Sequence, residues 1–208
     1  MGEARKTKLD MNQSVYTNRI ALTVALGGFL MGFDASVISG VNKFVQIQFN
    51  LSDLQLGFSV SSLTIVAALA MMFSGPLSDK YGRKLVLKYC ALIFTVSAIG
   101  SALATGFTSF LIFRMLGGLG VGASLIVAPM YIAEIAPASK RGRLVSFNQL
   151  NIVIGITIAF FTNYYILSLA DHTSSWVSNY GIAEHNWRWM LGIEALPAIV
   201  YFFALFSV

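Results

Sequence analysis

Long apolar stretches separated by short polar ones dominate the pattern of this chain. An α-helix rises about 1.5 Å per residue, so about 20 apolar residues cross the hydrocarbon core of a bilayer. Six stretches meet this requirement, and we predict six membrane-spanning helices at 20–40, 54–77, 85–105, 107–135, 144–170 and 187–208. Residues 1–19 are then a polar N-terminal tail, and residues 20–208 are one six-helix transmembrane bundle.

Composition supports a membrane protein of the all-α class. The 208 residues are 56% hydrophobic and 11% charged, whereas soluble domains carry about 25% charged residues. The first apolar stretch is too long for the core of a cleavable signal peptide and indicates a signal anchor. The sequence shows no metal-ligand cluster, phosphate-binding loop or nucleophile–base pair, so we expect neither an enzyme nor a cofactor.

The basic residues predict the orientation, because cytoplasmic loops of membrane proteins are enriched in Lys and Arg. The tail, the loop after the second span and the loop after the fourth span hold most of them: Arg5, Lys6, Lys8, Arg19, Lys80, Arg83, Lys84, Lys88, Lys140, Arg141 and Arg143. The opposite side has only Lys43 and Arg188. We therefore expect both termini in the cytoplasm, and we interpret the net charge of +5 as a topology signal rather than a nucleic-acid surface.

A glycine pattern suggests an internal repeat. Three glycines of the first span recur in the fourth span at a constant offset of 90 residues: Gly27, Gly28 and Gly32 match Gly117, Gly118 and Gly122. The two spans run in opposite directions, and inverted three-plus-three repeats are common in transporters. Simple close packing of helices explains the glycines equally well.

Three ionisable residues lie inside the predicted spans at a similar depth. Asp34, Arg114 and Glu194 each stand about seven residues, or roughly 10 Å, from the same side of the membrane. A charge alone in lipid costs at least about 2.5–3.5 kcal/mol, so we expect the three to face one another or a water-filled cavity. Asp34 and Arg114 form either a fixed ion pair or a pair whose separation changes the proton affinity of Asp34 and couples a proton to a conformational change.

Several motifs resemble one family. GPLSDKYGRK at 75–84 resembles the loop signature of the major facilitator superfamily. RMLGGLGVG and PMYIAEIAPASKRG, within 114–142, resemble its sugar porter branch, and SFNQLNIVIG at 146–155 and WRWMLGIEALPA at 187–198 continue the similarity. The similarity is greatest to bacterial sugar–proton symporters of the xylose type. It implies the N-terminal six-helix half of a twelve-helix transporter in the bacterial inner membrane.

The resemblance implies roles for the residues inside the membrane. Asp34 matches the proton site of symporters, where proton-independent facilitators have asparagine, and Arg114 matches its partner; we place Glu194 with them. Gln149 matches a glutamine that hydrogen-bonds the sugar, although an interhelical hydrogen bond is an alternative. We expect Ile152 and Ile156, which share the helix face of Gln149, to form an apolar wall of the sugar site. Two positions depart from the family pattern: Met31 stands where phenylalanine is usual, and Ile156 stands where xylose-type porters have a second glutamine.

A second set of residues matches the family's cytoplasmic salt-bridge network. It comprises Asp79, Arg83, Glu134 and Arg141. Such a network would hold the cytoplasmic side closed, and an ordinary basic loop is the alternative.

The expected function is transport of a monosaccharide together with a proton, in the context of a complete transporter. The expected partners are the sugar, the proton, the lipid bilayer and either a second six-helix half or another copy of the chain. A uniport facilitator, a sensor and a non-transporting partner of a complete transporter remain alternatives.

Overall fold

The fold is a bundle of α-helices. The computed structural model describes the backbone of residues 2–170 and 181–207 and the side chains of residues 17–170 and 181–207. The helices are α1 Gly2–Gln48, α2 Asp53–Tyr81, α3 Arg83–Ala102, α4 Phe107–Ile135, α5 Arg141–Ala170, α6 Asn186–Gly192 and α7 Ala195–Ala204. Within the described residues, five helices are long and apolar enough to cross a membrane, namely α1 to α5, which correspond to the first five predicted spans.

The helices differ from the predicted spans chiefly at two places, and α3 also ends three residues before the predicted end at Thr105. Helix α1 begins inside the predicted polar tail and continues past Gly40 to Gln48. The polar residues before Ile20 and after Gly40 are compatible with a helix, so the helix extends beyond the apolar stretch at both ends. The sixth predicted span consists of two helices, α6 and α7, separated by Ile193 and Glu194. The connection expected on the outer side after Ala170 falls partly on residues 171–180, which lie outside the described residues.

Short turns with defined chemistry join the first three helices. Ser52 caps α2 by accepting a hydrogen bond from the backbone of Gln55, and the Gln55 side chain accepts one from the backbone of Ser52. This reciprocal pair satisfies two backbone donors that the helix itself leaves unpaired. Gly82 alone separates α2 from α3 and has φ 86°, a conformation that glycine adopts without strain. The turn places Asp79 and Arg83 on either side of it.

Glycines allow the central helices to approach closely. Helix α1 packs most extensively on α5, and α2 packs on α4. A Cβ atom at Gly32 would lie 2.0 Å from the Ile152 carbonyl oxygen, and one at Gly122 would lie 2.1 Å from that of Ala67. Two of the three matched pairs therefore make equivalent contacts: Gly28 and Gly32 meet α5, and Gly118 and Gly122 meet α2. This equivalence favours the internal repeat over coincidental packing.

Two apolar clusters fill the bundle at different heights. The first includes Leu30, Val121 and Ala198, and the second includes Val37, Phe110 and Leu191. On α1, on α4 and along α6 and α7, one charged residue lies between a member of one cluster and a member of the other. The boundary between the clusters is therefore where the buried charges meet.

Candidate functional site

A buried ion pair joins α1 to α4. Arg114 donates a hydrogen bond from Nη1 to Oδ1 of Asp34, and the two residues are 2% and 3% exposed. Asp34 Oδ2 and Arg114 Nε have no hydrogen-bond partner among the described residues. A buried charge without its partner is strongly destabilising, so each residue depends on the other.

Glu194 completes a cluster of three ionisable residues. It is 3% exposed and interacts electrostatically with both Asp34 and Arg114. The structure thus brings together the three residues that the sequence placed at one depth. Two carboxyl groups and one guanidinium share this buried site, which carries one negative charge in excess when all three are ionised.

The turn between α6 and α7 determines where Glu194 lies. Proline has no backbone N–H, so Pro197 cannot donate to the carbonyl of Ile193 four residues earlier. That carbonyl accepts instead from the Leu196 backbone N–H at 3.1 Å, and the Glu194 N–H donates to Leu191 at 3.2 Å. Ile193 and Glu194 keep helical backbone angles. These two hydrogen bonds therefore join residues three apart, and α7 continues in nearly the same direction as α6. Pro197 in the sequence was the available signal for this break.

The predicted sugar-contacting residues differ in their exposure. Three of them lie on α5, and Met31 lies on α1. Gln149 is exposed and forms no hydrogen bond among the described residues, and Ile156 is half-buried. Ile152 is placed differently from the expectation that it shares the face of Gln149: it is buried against α1, where Gly28 and Gly32 leave room for it. Met31 is also half-buried and packs on the first apolar cluster.

Sequence reasoning missed a group of buried polar side chains near Gly27 and Gly28. Ser124 Oγ, Asn148 Oδ1 and the Tyr201 hydroxyl are buried and have no hydrogen-bond partner among the described residues. A Cβ atom at Gly27 would lie 2.7 Å from Ser124 Oγ and 2.9 Å from the Tyr201 oxygen. Ser124 and Tyr201 stand singly in apolar stretches and Asn148 stands among other polar residues of α5, so only their meeting in space distinguishes the group.

A salt-bridge network occupies the end of the bundle that carries the α2–α3 turn. Arg83 contacts Asp79 at 2.5 Å and Glu134 at 2.8 Å, and its Nη1 donates to the Ser78 carbonyl at 2.9 Å. It therefore joins the C-terminal ends of α2 and α4 to the start of α3. The side chains of Asp79 and Glu134 are 65% and 45% exposed, so the network is accessible to solvent ions.

Arg141 does not join this network, in contrast to the sequence-based expectation. It is exposed at the first position of α5, and no described carboxylate lies within salt-bridge distance of it. Glu134 already accepts from both Nε and Nη2 of Arg83. The short turn between Pro137 and Lys140, closed by a backbone hydrogen bond of 2.9 Å, separates Arg141 from the end of α4.

The sequence matches a family of membrane transporters. The model of the sugar (and other) transporter family matches residues 20–208. The chain is 43% identical to a glucose transport protein of Synechocystis over 182 residues, covering 88% of the chain and 38% of that protein. It is 37% identical to a D-xylose–proton symporter of Escherichia coli, covering 94% of the chain and 44% of that protein.

A solved structure matches the fold. The chain is similar to the major facilitator superfamily proton:xylose symporter XylE bound to 6-bromo-6-deoxy-D-glucose, with a TM-score of 0.84 and 35% identity. The match covers 94% of this chain and 45% of that structure. The chain thus spans less than half the length of these relatives and corresponds to the N-terminal helical half of their fold. It is a multi-pass membrane protein and belongs to the sugar (and other) transporter family of the major facilitator superfamily.

Proposed function

We propose that this chain is the N-terminal half of a transporter that moves a monosaccharide and a proton together across the membrane. The observation that carries the proposal is the buried cluster of Asp34, Arg114 and Glu194, which lies between the two apolar clusters. The names of relatives from Escherichia coli and Bacillus subtilis, a D-xylose–proton symporter and an arabinose–proton symporter, support it.

The charge balance of the cluster suits a proton carrier. With two carboxyl groups beside one guanidinium, a single proton neutralises the excess negative charge. Any rearrangement that moves Arg114 away from Asp34 leaves a buried carboxylate without its cation, and proton uptake then removes the cost. Proton binding and the position of α4 relative to α1 are coupled in this way. A fixed ion pair, by contrast, would suit a facilitator.

The sugar site of the proposal lies on the exposed side of α5. The Gln149 amide offers two donors and one acceptor to sugar hydroxyls. It has no partner among the described residues, and Ile156 lies two turns further along the same helix. A sugar between two halves of a transporter would contact this face of α5.

The exposed faces of α2 and α5 support a second helical half as the partner. Of the residues in the most apolar segment of each helix, 67% are buried within the chain in α1, compared with 22% in α2 and 28% in α5. Covering these two faces with another six-helix unit, or with a second copy, would enclose Gln149. We place the Arg83 network and both termini on the cytoplasmic side of a bacterial inner membrane, because the basic residues concentrate there. Opening the network would then accompany release of sugar to the cell interior.

A chimera tests the proposal. The chain is joined to the C-terminal half of the Escherichia coli D-xylose–proton symporter and reconstituted in proteoliposomes, and D-xylose or D-glucose is added while the external pH is recorded. A symporter takes up protons with the sugar, so the external solution becomes more alkaline. Sugar uptake without a pH change would identify a facilitator, and sugar binding without uptake would identify a sensor or a non-transporting partner.

A further inference from the structure

A long groove runs between α2 and α3 toward the Arg83 end of the bundle. Its cavity has a volume of about 730 Å³. Phe73, Leu77 and Tyr81 of α2 form one wall, and Leu85 and Tyr89 of α3 form the other. These five side chains are between 42% and 68% exposed, so the groove is open to the surroundings of the bundle.

The interior of the groove is mainly apolar, and the hydroxyls of Tyr81 and Tyr89 are among its few polar groups. The floor includes Cys90, which is 2% exposed, and Ala123 of α4, so the groove reaches between α2 and α3 to the next helix. Ser74, its one serine, donates its hydroxyl to the Ala70 carbonyl of its own helix. A sugar or a peptide backbone would lose more hydrogen bonds with water here than these few groups replace, whereas an acyl chain has no hydrogen bonds to lose.

Positive charge lies at the end of the groove. The ammonium group of Lys80 lies 5.2 Å from the ring centroid of Tyr81, a wall residue, and Lys84 directly precedes the wall residue Leu85. Arg83 engages Asp79 and Glu134, and no described carboxylate is within salt-bridge distance of Lys80 or Lys84. An apolar groove with Lys80 at its end and a second lysine next to its wall in the sequence matches the shape and charge of an anionic phospholipid, whose headgroup lies at the membrane surface above its chains.

We propose that this groove binds one anionic glycerophospholipid, with an acyl chain between α2 and α3 and the phosphate at Lys80 and Lys84. The second half of a transporter is a less suitable occupant, because a helix with side chains is about 10 Å wide and would lie over the groove rather than enter it to Cys90. The site is separate from the buried ionisable cluster and does not depend on the proposed transport function.

Native mass spectrometry of the purified chain in detergent tests the site. Phosphatidylglycerol and phosphatidylcholine with identical acyl chains are titrated, and the affinities for the first bound lipid are compared. We expect a preference for phosphatidylglycerol of roughly fivefold for each lysine. The double variant Lys80→Gln, Lys84→Gln should bind both lipids equally, whereas Lys43→Gln, which removes one exposed charge elsewhere, should keep the preference.

A second pair of variants tests the groove itself. Ala70→Phe fills the cavity and should weaken both lipids at least threefold, whereas Ala68→Phe, on the same helix but outside the cavity, should not. Where Ala70→Phe does not fold, Leu85→Gln removes apolar surface from the wall without adding volume. Equal binding of the two lipids by the unaltered chain overturns the proposal. A loss of preference in Lys43→Gln as large as that in the double lysine variant overturns it as well. The groove variants could instead bind lipid normally but associate more weakly with a second half produced in the same cells. That result would also overturn the proposal and would assign the groove to the interface between halves.

Discussion

Asn163 of α5 donates a hydrogen bond of 3.1 Å from its side-chain nitrogen to the backbone carbonyl of Val37 on α1. Val37 lies three residues after Asp34, so this contact holds α1 close to the buried ion pair. A Cβ atom at Gly40 would lie 2.4 Å from the same nitrogen, and only glycine leaves space for the amide. The contact fixes the height of α5 relative to Asp34.

Replacing Asn163 with alanine should lower the stability of the bundle by about 0.6–1.7 kcal/mol, the range of interhelical hydrogen bonds in membranes. The unfolding midpoint should fall by about 2–4 °C per kcal/mol, as followed by tryptophan fluorescence in detergent. Asn151→Ala is the matched control, because Asn151 bonds only to Phe147 of its own helix at 2.9 Å. Equal shifts for the two variants would show that the interhelical bond contributes nothing.

Alanine at the close-contact glycines should destabilise the chain. Gly32→Ala and Gly122→Ala each place a Cβ atom about 2 Å from a backbone oxygen, so α1 and α5, or α4 and α2, must separate. Overpacking of this kind costs about 1–3 kcal/mol. The same thermal measurement checks both variants.

Gly57→Ala and Gly75→Ala are the controls for these glycines. Both positions lie inside α2, and a Cβ atom there meets nothing within 4 Å. They should leave stability unchanged or raise it by about 0.5–1 kcal/mol, because alanine favours the helix. A drop as large as that of Gly32→Ala would mean that the backbone contacts at Gly32 and Gly122 are unimportant.

The Arg83 network should respond to salt. A double-mutant cycle with Arg83→Gln and Glu134→Gln should give a small favourable coupling in dilute buffer, because both groups contact solvent. The coupling should shrink at about 1 M salt, where the screening length is about 3 Å. Arg141→Gln should change stability at neither salt concentration, since Arg141 is outside the network. A coupling that is independent of salt would contradict this interpretation.

Gln149→Ala in the chimera should weaken sugar binding about tenfold, because a hydrogen bond to a sugar hydroxyl contributes about 1–1.5 kcal/mol. Equilibrium binding of radiolabelled sugar measures the change. Gln48→Ala, an exposed glutamine at the end of α1, should leave affinity unaltered. Unchanged affinity in a folded Gln149→Ala variant would place the sugar elsewhere.

Much of the architecture follows from patterns that a sequence displays directly. The length of apolar stretches predicted the first five spans, and the shared depth of Asp34, Arg114 and Glu194 predicted that they meet. Both depend on the geometry of a single helix crossing a bilayer, which local spacing determines.

The remaining differences arise from contacts between helices. The expectation for Ile152 did not anticipate that Gly28 and Gly32 would draw it against α1, away from the exposed face of Gln149. Arg141 was grouped with Arg83 and Glu134 on a motif, but a short turn keeps it apart from them. The break at Glu194 was visible in principle through Pro197, yet apolar periodicity alone indicated one continuous span.

The central claim is that Asp34 carries the coupled proton. The most direct test is sugar accumulation by the Asp34→Asn chimera in proteoliposomes with an imposed pH gradient, together with sugar counterflow, which needs no net proton movement. Asparagine is nearly isosteric with aspartate but cannot take up the proton, and Glu194 remains beside Arg114 to balance its charge. Asp53→Asn, a change at an exposed position of α2, is the matched control and should accumulate sugar normally. We predict that Asp34→Asn retains sugar binding and counterflow but no longer concentrates sugar; accumulation at the rate of the unaltered chimera would contradict the account and favour a fixed ion pair.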